Sequence, residues 1–499
     1  MKVHLLYSDR DAALNAGLPD HAQALVDDLG LDAVFGAMAD GDALFLDVVR
    51  KGVLSSIAGD VATILYRQDI LKDCLANPRV VMEIFECAGE GLRDVKRLAP
   101  FTIFNRSPNS ILYSALTIVG SLSVTLRRLR AIGEAQGEIF RSEGFRNLFS
   151  TLEKELDDEF FSDVQRHRNE LAFRGGVLLS GALGVGNKGT GYVLRAHPPQ
   201  RSGWMQRLMA RKAGVYSFKV AERDESGHRA LSLLKDRGVN LVANALAQSN
   251  DHILGFLNAL QTELAFYIGC LRLRDRLAAK GLPTCLPAPS PRTERRRAFS
   301  GLYDVSLALQ QEDKIVGSDA DFGDRCVVVV TGANRGGKST FLRSIGQAQL
   351  MMQAGMFIAA ESFAANVSEG VFTHFRREED QSMQSGKLDE ELSRLHDITS
   401  RLNSNSMLLL NESLSSTNER EGSEIARQIV SALAEKRVMV FFVTHLYEFA
   451  RDWHEASRPD SMFLRAERLP DGTRTFKIVP GGPLATSFGE DLYGRIING

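Results

Sequence analysis

From about residue 20 to 170 the apolar positions recur at i, i+3, i+4 and i+7, the period of helices that each bury one stripe. FLDVVRKGVLSSIAGDVATILYRQDILKDCLANPRVVMEIFECAGEGLRDV carries this pattern with Pro78 as a break. ILYSALTIVGSLSVTLRRLRAIGEAQGEIF continues it, and FRNLFSTLEKELDDEFFSDVQRHRNEL repeats it. Long amphipathic helices packed on one another are the expected result. The texture returns in VNLVANALAQSNDHILGFLNALQTELAFYIGCLRLRDRLAAKGL, which predicts one long helix ending near Gly281. Pro283, Pro287, Pro289 and Pro291 then mark a linker and a domain boundary. After it the period changes. Short apolar runs at 326–331, 407–410 and 438–443 read as strands buried in a parallel sheet. No fixed-period repeat is found.

Between 171 and 221 the pattern breaks. This run is glycine-rich and contains no Asp or Glu, and the alternation in GYVLRAH and VYSFKVAE suggests strands or hairpins. Its fixed positive charges are Arg174, Lys188, Arg195, Arg201, Arg207, Arg211, Lys212 and Lys219. Two readings are open: a surface that contacts a phosphate backbone, or a connector whose cations pair with the acidic stretch LEKELDDEF at 152–160.

Composition narrows the class. The chain has 499 residues, 44% of them hydrophobic and 24% charged, which is globular composition sized for two or three domains. Lys+Arg of 60 against Asp+Glu of 62 leaves no global field for nucleic acid or membrane, so any basic surface is local. Five cysteines without a CxxC pair support neither a disulfide framework nor a zinc site. The start carries acids by residue 9 and no long apolar core, unlike a secretory signal. The most apolar stretch, 111–126, is shorter than the roughly 20 residues of a bilayer span and reads as a buried helix. A cytoplasmic protein is expected.

The chemistry begins at CVVVVTGANRGGKSTFLR. Gly332 to Ser339 form a full GxxxxGK[ST] between a strand and a helix. Gly332, Gly336 and Gly337 let backbone N–H groups curl around phosphates, and the helix N-terminus adds partial positive charge. Lys338 can reach the β- and γ-phosphates, and the Ser339 hydroxyl can ligate Mg²⁺. ATP with Mg²⁺ is the expected cofactor. Downstream, the strand MLLL leads into Asn411-Glu412, where Glu412 is a candidate general base, and the run VMVFFV leads into Thr444-His445, where His445 can sense the γ-phosphate. Arg427 and Glu435 fall on the solvated face of an intervening helix.

TGANRGGKSTFLR, LLLNESLSSTNEREGSEIA, FFVTHLYEFA and KIVPGGPLATSFGEDL, in this order and spacing over about 315–495, resemble the ATPase domain of the MutS family of DNA mismatch-repair proteins. ILYRQDILKDCLANPRVV and the helix ending in LRLRDRLAAKGLP resemble that family's helical core and lever. The resemblance implies an ABC-type ATPase that dimerises around two composite nucleotide sites. It places Gly332, Asn334, Gly337, Lys338, Ser339 and Thr340 in the nucleotide loop, Asn411 at the metal-holding position, Glu412 as catalytic acid and His445 as switch histidine. Ser385-Gly386 resembles the pair that reaches the partner's γ-phosphate, and Ser415 to Asn418 stand where a dimer-interface loop follows. Ile315 and Val316 fall near the adenine-stacking position without the usual aromatic. The fold class is therefore α plus α/β: a helical core and lever at 1–285 with a glycine-rich insertion at 171–221, a lead-in at 286–314, and a P-loop domain with a mostly parallel sheet at 315–499.

Three departures qualify the likeness. Asn411 replaces the family's Asp, so hydrolysis is expected to be slow. SGKLDEELSRL lacks the Ser-Thr-Phe that follows the signature pair, and a capped helix start at Ser385 is the competing reading. The only Phe-x-Glu, Phe488 to Glu490, lies in the ATPase tail, so a mismatch-reading domain is not expected. The leading expectation is a homodimeric, ATP-gated DNA-binding protein of repair or recombination, with Lys188, Arg195, Arg201, Arg207, Arg211 and Lys212 as duplex contacts. The alternative is a nucleotide-switched scaffold acting on a protein partner. A transport ATPase is disfavoured by the large helical arms.

Overall fold

The structure is a computed structural model and describes residues 1–12, 17–56, 59–98, 107–174, 176–195, 217, 219–377 and 386–484. Packing divides the chain into two units, one comprising 1–3, 82–139 and 146–261, the other 4–81, 140–145 and 262–499.

Helices come first: α1 (Ala22–Leu29), α2 (Leu31–Ala39), α3 (Ala43–Leu54), α4 (Val61–Ala76), α5 (Pro78–Leu98), α6 (Pro108–Gln136), α7 (Glu143–Glu155) and α8 (Asp158–Leu171). A hairpin of β1 (Leu178–Leu183) and β2 (Gly189–Arg195) and the 55-residue helix α9 (Glu225–Ala279) follow. Then come β3 (Ala288–Ser290), β4 (Arg297–Leu302), α10 (Val305–Gln310), β5 (Ser318–Asp321), β6 (Val327–Thr331) and α11 (Lys338–Gln353). The chain continues through β7 (Ser362–Asn366), β8 (Val371–Phe375), α12 (Lys387–Thr399), β9 (Met407–Asn411) and α13 (Glu419–Glu435). It closes with β10 (Met439–Val443), α14 (Tyr447–Glu455), β11 (Ser461–Arg468) and β12 (Arg474–Pro480).

Local chemistry sets many of these boundaries. Asp42, Asp60, Ser107 and Asp157 cap α3, α4, α6 and α8 with their side-chain oxygens. Pro78 opens α5 rather than merely breaking the pattern, since a first-turn proline loses no helical hydrogen bond. The helix expected to end near Gly281 does so, with Gly281 in the left-handed region at φ 67°.

In the first unit α6 buries Leu112, Ala115, Val119, Leu122, Leu126 and Leu129, a single stripe at helical spacing. The helix expected at 111–126 is buried on this face, while Tyr113 and Val124 on its other side are exposed. By length and composition alone α6 and α9 could each cross a membrane; the apolar part of α9 is mostly buried within the fold. Leu112 joins Val239 and Ala243 in a small core that also holds Leu171, Val177 and Leu194, anchoring the base of the β1–β2 hairpin.

The second unit holds a six-stranded sheet ordered β12-β11-β6-β10-β9-β8, parallel except for β12. A second sheet, β3-β7-β4-β5, packs in the same unit. The proline-rich stretch expected as a linker contributes one of its strands, β3. Pro289 is tolerated because β3 is an edge strand and needs no outward N–H. Helices α1 to α4 and the end of α9 also belong to this unit, so the division by packing does not follow the sequence boundary at 285. Close approaches hold them: a Cβ on Gly52 would meet Phe266 at 2.6 Å, and one on Gly346 would meet Leu29 at 2.6 Å.

A buried carboxylate ties the N-terminal segment into this unit. Glu263, with no exposed surface, accepts hydrogen bonds from the backbone N–H groups of Leu5 at 2.6 Å, Leu6 at 2.9 Å and Ala12 at 2.6 Å. Glu263→Ala strands those donors and should lower stability by about 3 kcal/mol, seen as a lower urea midpoint with an unchanged m-value.

Candidate nucleotide site

Strand register assembles the site. Val330 of β6 pairs with Val443 of β10, which pairs with Asn411 of β9, so the three strands end together. Their carboxyl ends deliver the glycine loop, Asn411-Glu412 and Thr444-His445 to one edge, where open α/β sheets bind ligands.

Gly332 and Gly337 adopt φ of 114° and 90°, and a Cβ on either would approach backbone atoms of Ala466 and Phe476 at 3.0 and 3.1 Å. The loop therefore needs glycine there on two counts. Arg335 also takes a left-handed conformation at φ 58°. Lys338 is 5% exposed and donates from Nζ to the carbonyls of Gly332 and Ala333, both at 2.9 Å. Burial pushes its pKa down to about 8, against the pull of Glu412.

Ser339 Oγ donates to Asn411 Oδ1 at 3.0 Å. This pair of hard oxygen ligands fits Mg²⁺, which takes few protein ligands and fills the rest from water and phosphate. Among the described residues no cluster of His, Cys, Asp and Glu offers another metal cage. Glu412 sits at φ 54°, and its Oε1 lies 3.0 Å from His445 Nε2, with Arg376 3.9 Å from the other oxygen. The hydrogen bond from His445 holds the Glu412 carboxyl below its usual range, so it is ionised at neutral pH. The loop Gly332 to Thr340, Asn411, Glu412 and His445 thus converge as the spacing predicts.

A cleft of about 400 Å³ opens beside Gly337 and Thr340, lined by Tyr303, Ile315, Val316, Phe341 and Phe476 among others. Phe476 of β12 is half exposed and supplies an aromatic face that Ile315 and Val316 lack. Sequence reasoning missed it because it lies 138 positions beyond Lys338 and reaches the loop only through the β11–β12 hairpin. The same holds for His374, fully buried on β8, whose Nδ1 lies 2.7 Å from the Oγ of Ser413, the residue after Glu412.

Other expectations are only partly covered. Ser385 lies outside the described residues. Gly386 is the N-cap of α12 without a side-chain cap bond, and Asp389 and Glu390 occupy the first turn. Asn418 caps α13 by accepting from Glu421 N at 3.0 Å. Arg427 pairs with Glu424 on the helix face. Arg201, Arg207, Arg211, Lys212 and the segment Phe488 to Glu490 also lie outside the described residues. Lys188 is exposed in the β1–β2 turn, next to Val185, which is 97% exposed. Arg195 ends β2 and donates to Ser180 Oγ at 2.9 Å. Within the acidic stretch at 152–160, Glu155 pairs with the N-terminus at 3.1 Å and Asp158 with Arg130 at 2.7 Å.

Known proteins align with both parts of the chain. A family model for the MutS2 N-terminal domain matches residues 59–280, and one for MutS domain V matches residues 328–493. "Endonuclease MutS2" of Thermus thermophilus is 25% identical over 349 residues, 66% of this chain and 43% of that protein. "DNA mismatch repair protein MutS" of Prochlorococcus marinus (strain MIT 9301) is 29% identical over 169 residues, 33% of this chain and 18% of that protein. "Endonuclease MutS2" of Shouchella clausii is 30% identical over 154 residues, 30% of this chain and 20% of that protein. The chain spans less than half the length of each of these relatives.

The depressed Lys338 has a measurable consequence. Phosphate binding needs its charged form, so above pH 8 the nucleotide-free loop loses its cation. ATP affinity should fall by up to about tenfold per pH unit there, and Lys338→Arg should flatten that profile in a titration from pH 7 to 9.5.

Proposed function

Taking as premise that the chain belongs to the MutS family, we propose that it is an ATP-dependent, dimeric DNA-binding protein of repair or recombination, in which ATP binding gates a clamp and hydrolysis is slow. The observation that carries this reading is the convergence of Lys338, Ser339, Asn411, Glu412 and His445 at one sheet edge.

Each side chain has a role in that reading. The N–H groups of the glycine loop and Lys338 bind the phosphates, and Phe476 stacks on the base. Ser339 and Asn411 would hold Mg²⁺, which would supply charge neutralisation for the phosphates. His445 fixes Glu412 Oε1 and leaves Oε2 to orient a water and take its proton. A carboxylate held at low pKa is a weak proton acceptor, and an amide at 411 brings no negative charge to the metal. Both features favour a long-lived ATP state. Closure would pair two copies through Ser385-Gly386 and the loop from Ser415 to Asn418.

The β1–β2 hairpin of the first unit supports duplex binding. It presents Lys188 and Arg195 without carboxylate partners among the described residues. Nothing in this reading requires a mispair, since the duplex would be sensed by backbone and shape.

Hydrolysis provides the test. Asn411→Asp should raise turnover with ATP affinity little changed, while Glu412→Gln should cut turnover by about 10²–10³-fold and retain ATP. Equal turnover in the parent and Asn411→Asp proteins would remove the account of slow hydrolysis. For the duplex, Lys188→Glu with Arg195→Glu should reduce the slope of log affinity against log salt by about 2, at about 0.9 per phosphate contact. A parent protein whose duplex affinity ignores salt would sink the DNA reading.

A further inference from the structure

The edge of the parallel sheet opposite the nucleotide loop carries a second concentration of positive charge. Arg325 precedes β6, Arg437 precedes β10, and Ser404 to Ser406 precede β9. These are the amino ends of the strands whose carboxyl ends bear the site just described. A five-residue strand at about 3.3 Å per residue separates the two edges by roughly 17 Å. Arg295 and Arg296, leading into β4, and Arg297, its first residue, complete the group. The five arginines line one crevice together with Ser404, Asn405 and other hydroxyl and amide side chains, and no carboxylate lines it.

The hydrogen bonds of these arginines go to neutral acceptors. Arg295 Nη2 donates to the carbonyls of Ser404 at 3.1 Å and Arg437 at 2.5 Å. Arg325 Nη1 donates to the Phe322 carbonyl at 3.2 Å. Arg297 is 3% exposed, donates from Nη2 to Gln349 Oε1 at 2.9 Å, and leaves its Nε without a partner. Of the nearby acids, Glu369 holds Arg292 at 3.0 Å and Asp460 holds Arg458 at 3.3 Å, while Asp324 offsets part of the charge at Arg295 without lining the crevice. Arg295 is pushed below its usual pKa, by burial first and then by the charge of Arg437. Burial also lowers Arg297, to about 9, so it stays charged at neutral pH.

Five like charges with one acid acting on them, one of the five buried, are costly unless an anion joins them. Planar guanidinium forks match phosphate oxygens, and serine and asparagine side chains can extend the shell. We propose that this crevice is a second phosphate-binding site, separate from the nucleotide loop. It encloses about 20 Å³, room for about one oxygen-sized group. One phosphate oxygen enters toward Arg297, and the others remain at the mouth with Arg296 and Arg437, both exposed. The ligand is a phosphate group, either of a nucleic-acid backbone or of a small free anion.

The test uses the full chain carrying Lys338→Ala, which disables the nucleotide loop, with inorganic pyrophosphate as calorimetric probe and a mixed-sequence duplex as second probe. Pyrophosphate should bind this protein, and adding Arg296→Gln and Arg437→Gln should weaken binding by about tenfold or more, the effect of one lost charge-assisted hydrogen bond. Both arginines are exposed, so the thermal midpoint should stay unchanged. A simultaneous fall of about 2 in the duplex salt slope identifies backbone phosphate as the ligand. Loss of pyrophosphate binding alone identifies a small anion. If neither probe responds to the two substitutions, the site does not exist.

Discussion

The shared register of β6, β10 and β9 is the constraint on which the site depends. Because Val330, Val443 and Asn411 stand side by side, three segments spread over more than a hundred residues of sequence leave the sheet at one level. A slip of one residue in β9 would turn Asn411 to the other face and part it from Ser339. The strand interiors hold that register through apolar mass: Val327 to Val330, Met407 to Leu410 and Val440 to Val443 are all buried. The chemistry at the edge is polar and sparse, and the core beneath keeps it aligned.

A second layer of constraint lies behind the phosphate loop. Helix α11 is buried along most of its length and carries glutamines where apolar residues would be usual. Gln347 donates to the Leu29 carbonyl at 2.8 Å and to Asp304 Oδ1 at 2.9 Å, and its own oxygen accepts from Val305 N at 2.9 Å. These bonds join α1, α10 and α11 at one residue. Asp304 also holds Arg343 of the same helix at 2.7 Å. The helix that follows the glycine loop is therefore fixed by directional bonds as well as by volume.

Much of this was legible in the sequence because it rests on local rules. A buried strand, a GxxxxGK[ST] and a helix form a contiguous pattern, and the long helix up to Gly281 is readable from its period and its stop. The spatial convergence of Asn411, Glu412 and His445 followed from strand-then-acid and strand-then-histidine order. What escaped was everything set by distant pairing. Pro289 reads as a linker residue until β3 is seen at the edge of a sheet it shares with β7. Phe476 meets Gly337 only once the β11–β12 hairpin has formed. Glu263 acquires its role only once three N–H groups from the chain start surround it. None of these leaves a periodic trace.

The aromatic face of Phe476 and the phosphate loop belong to segments that meet only through the β11–β12 hairpin, and the Phe476 carbonyl lies against Gly337. A nucleotide held by both would act as a staple across the outer edge of the sheet, joining its last antiparallel strand to the helix that starts at Lys338. The amide protons of β12 would then exchange with solvent at a pace set by the guest rather than by the strand alone.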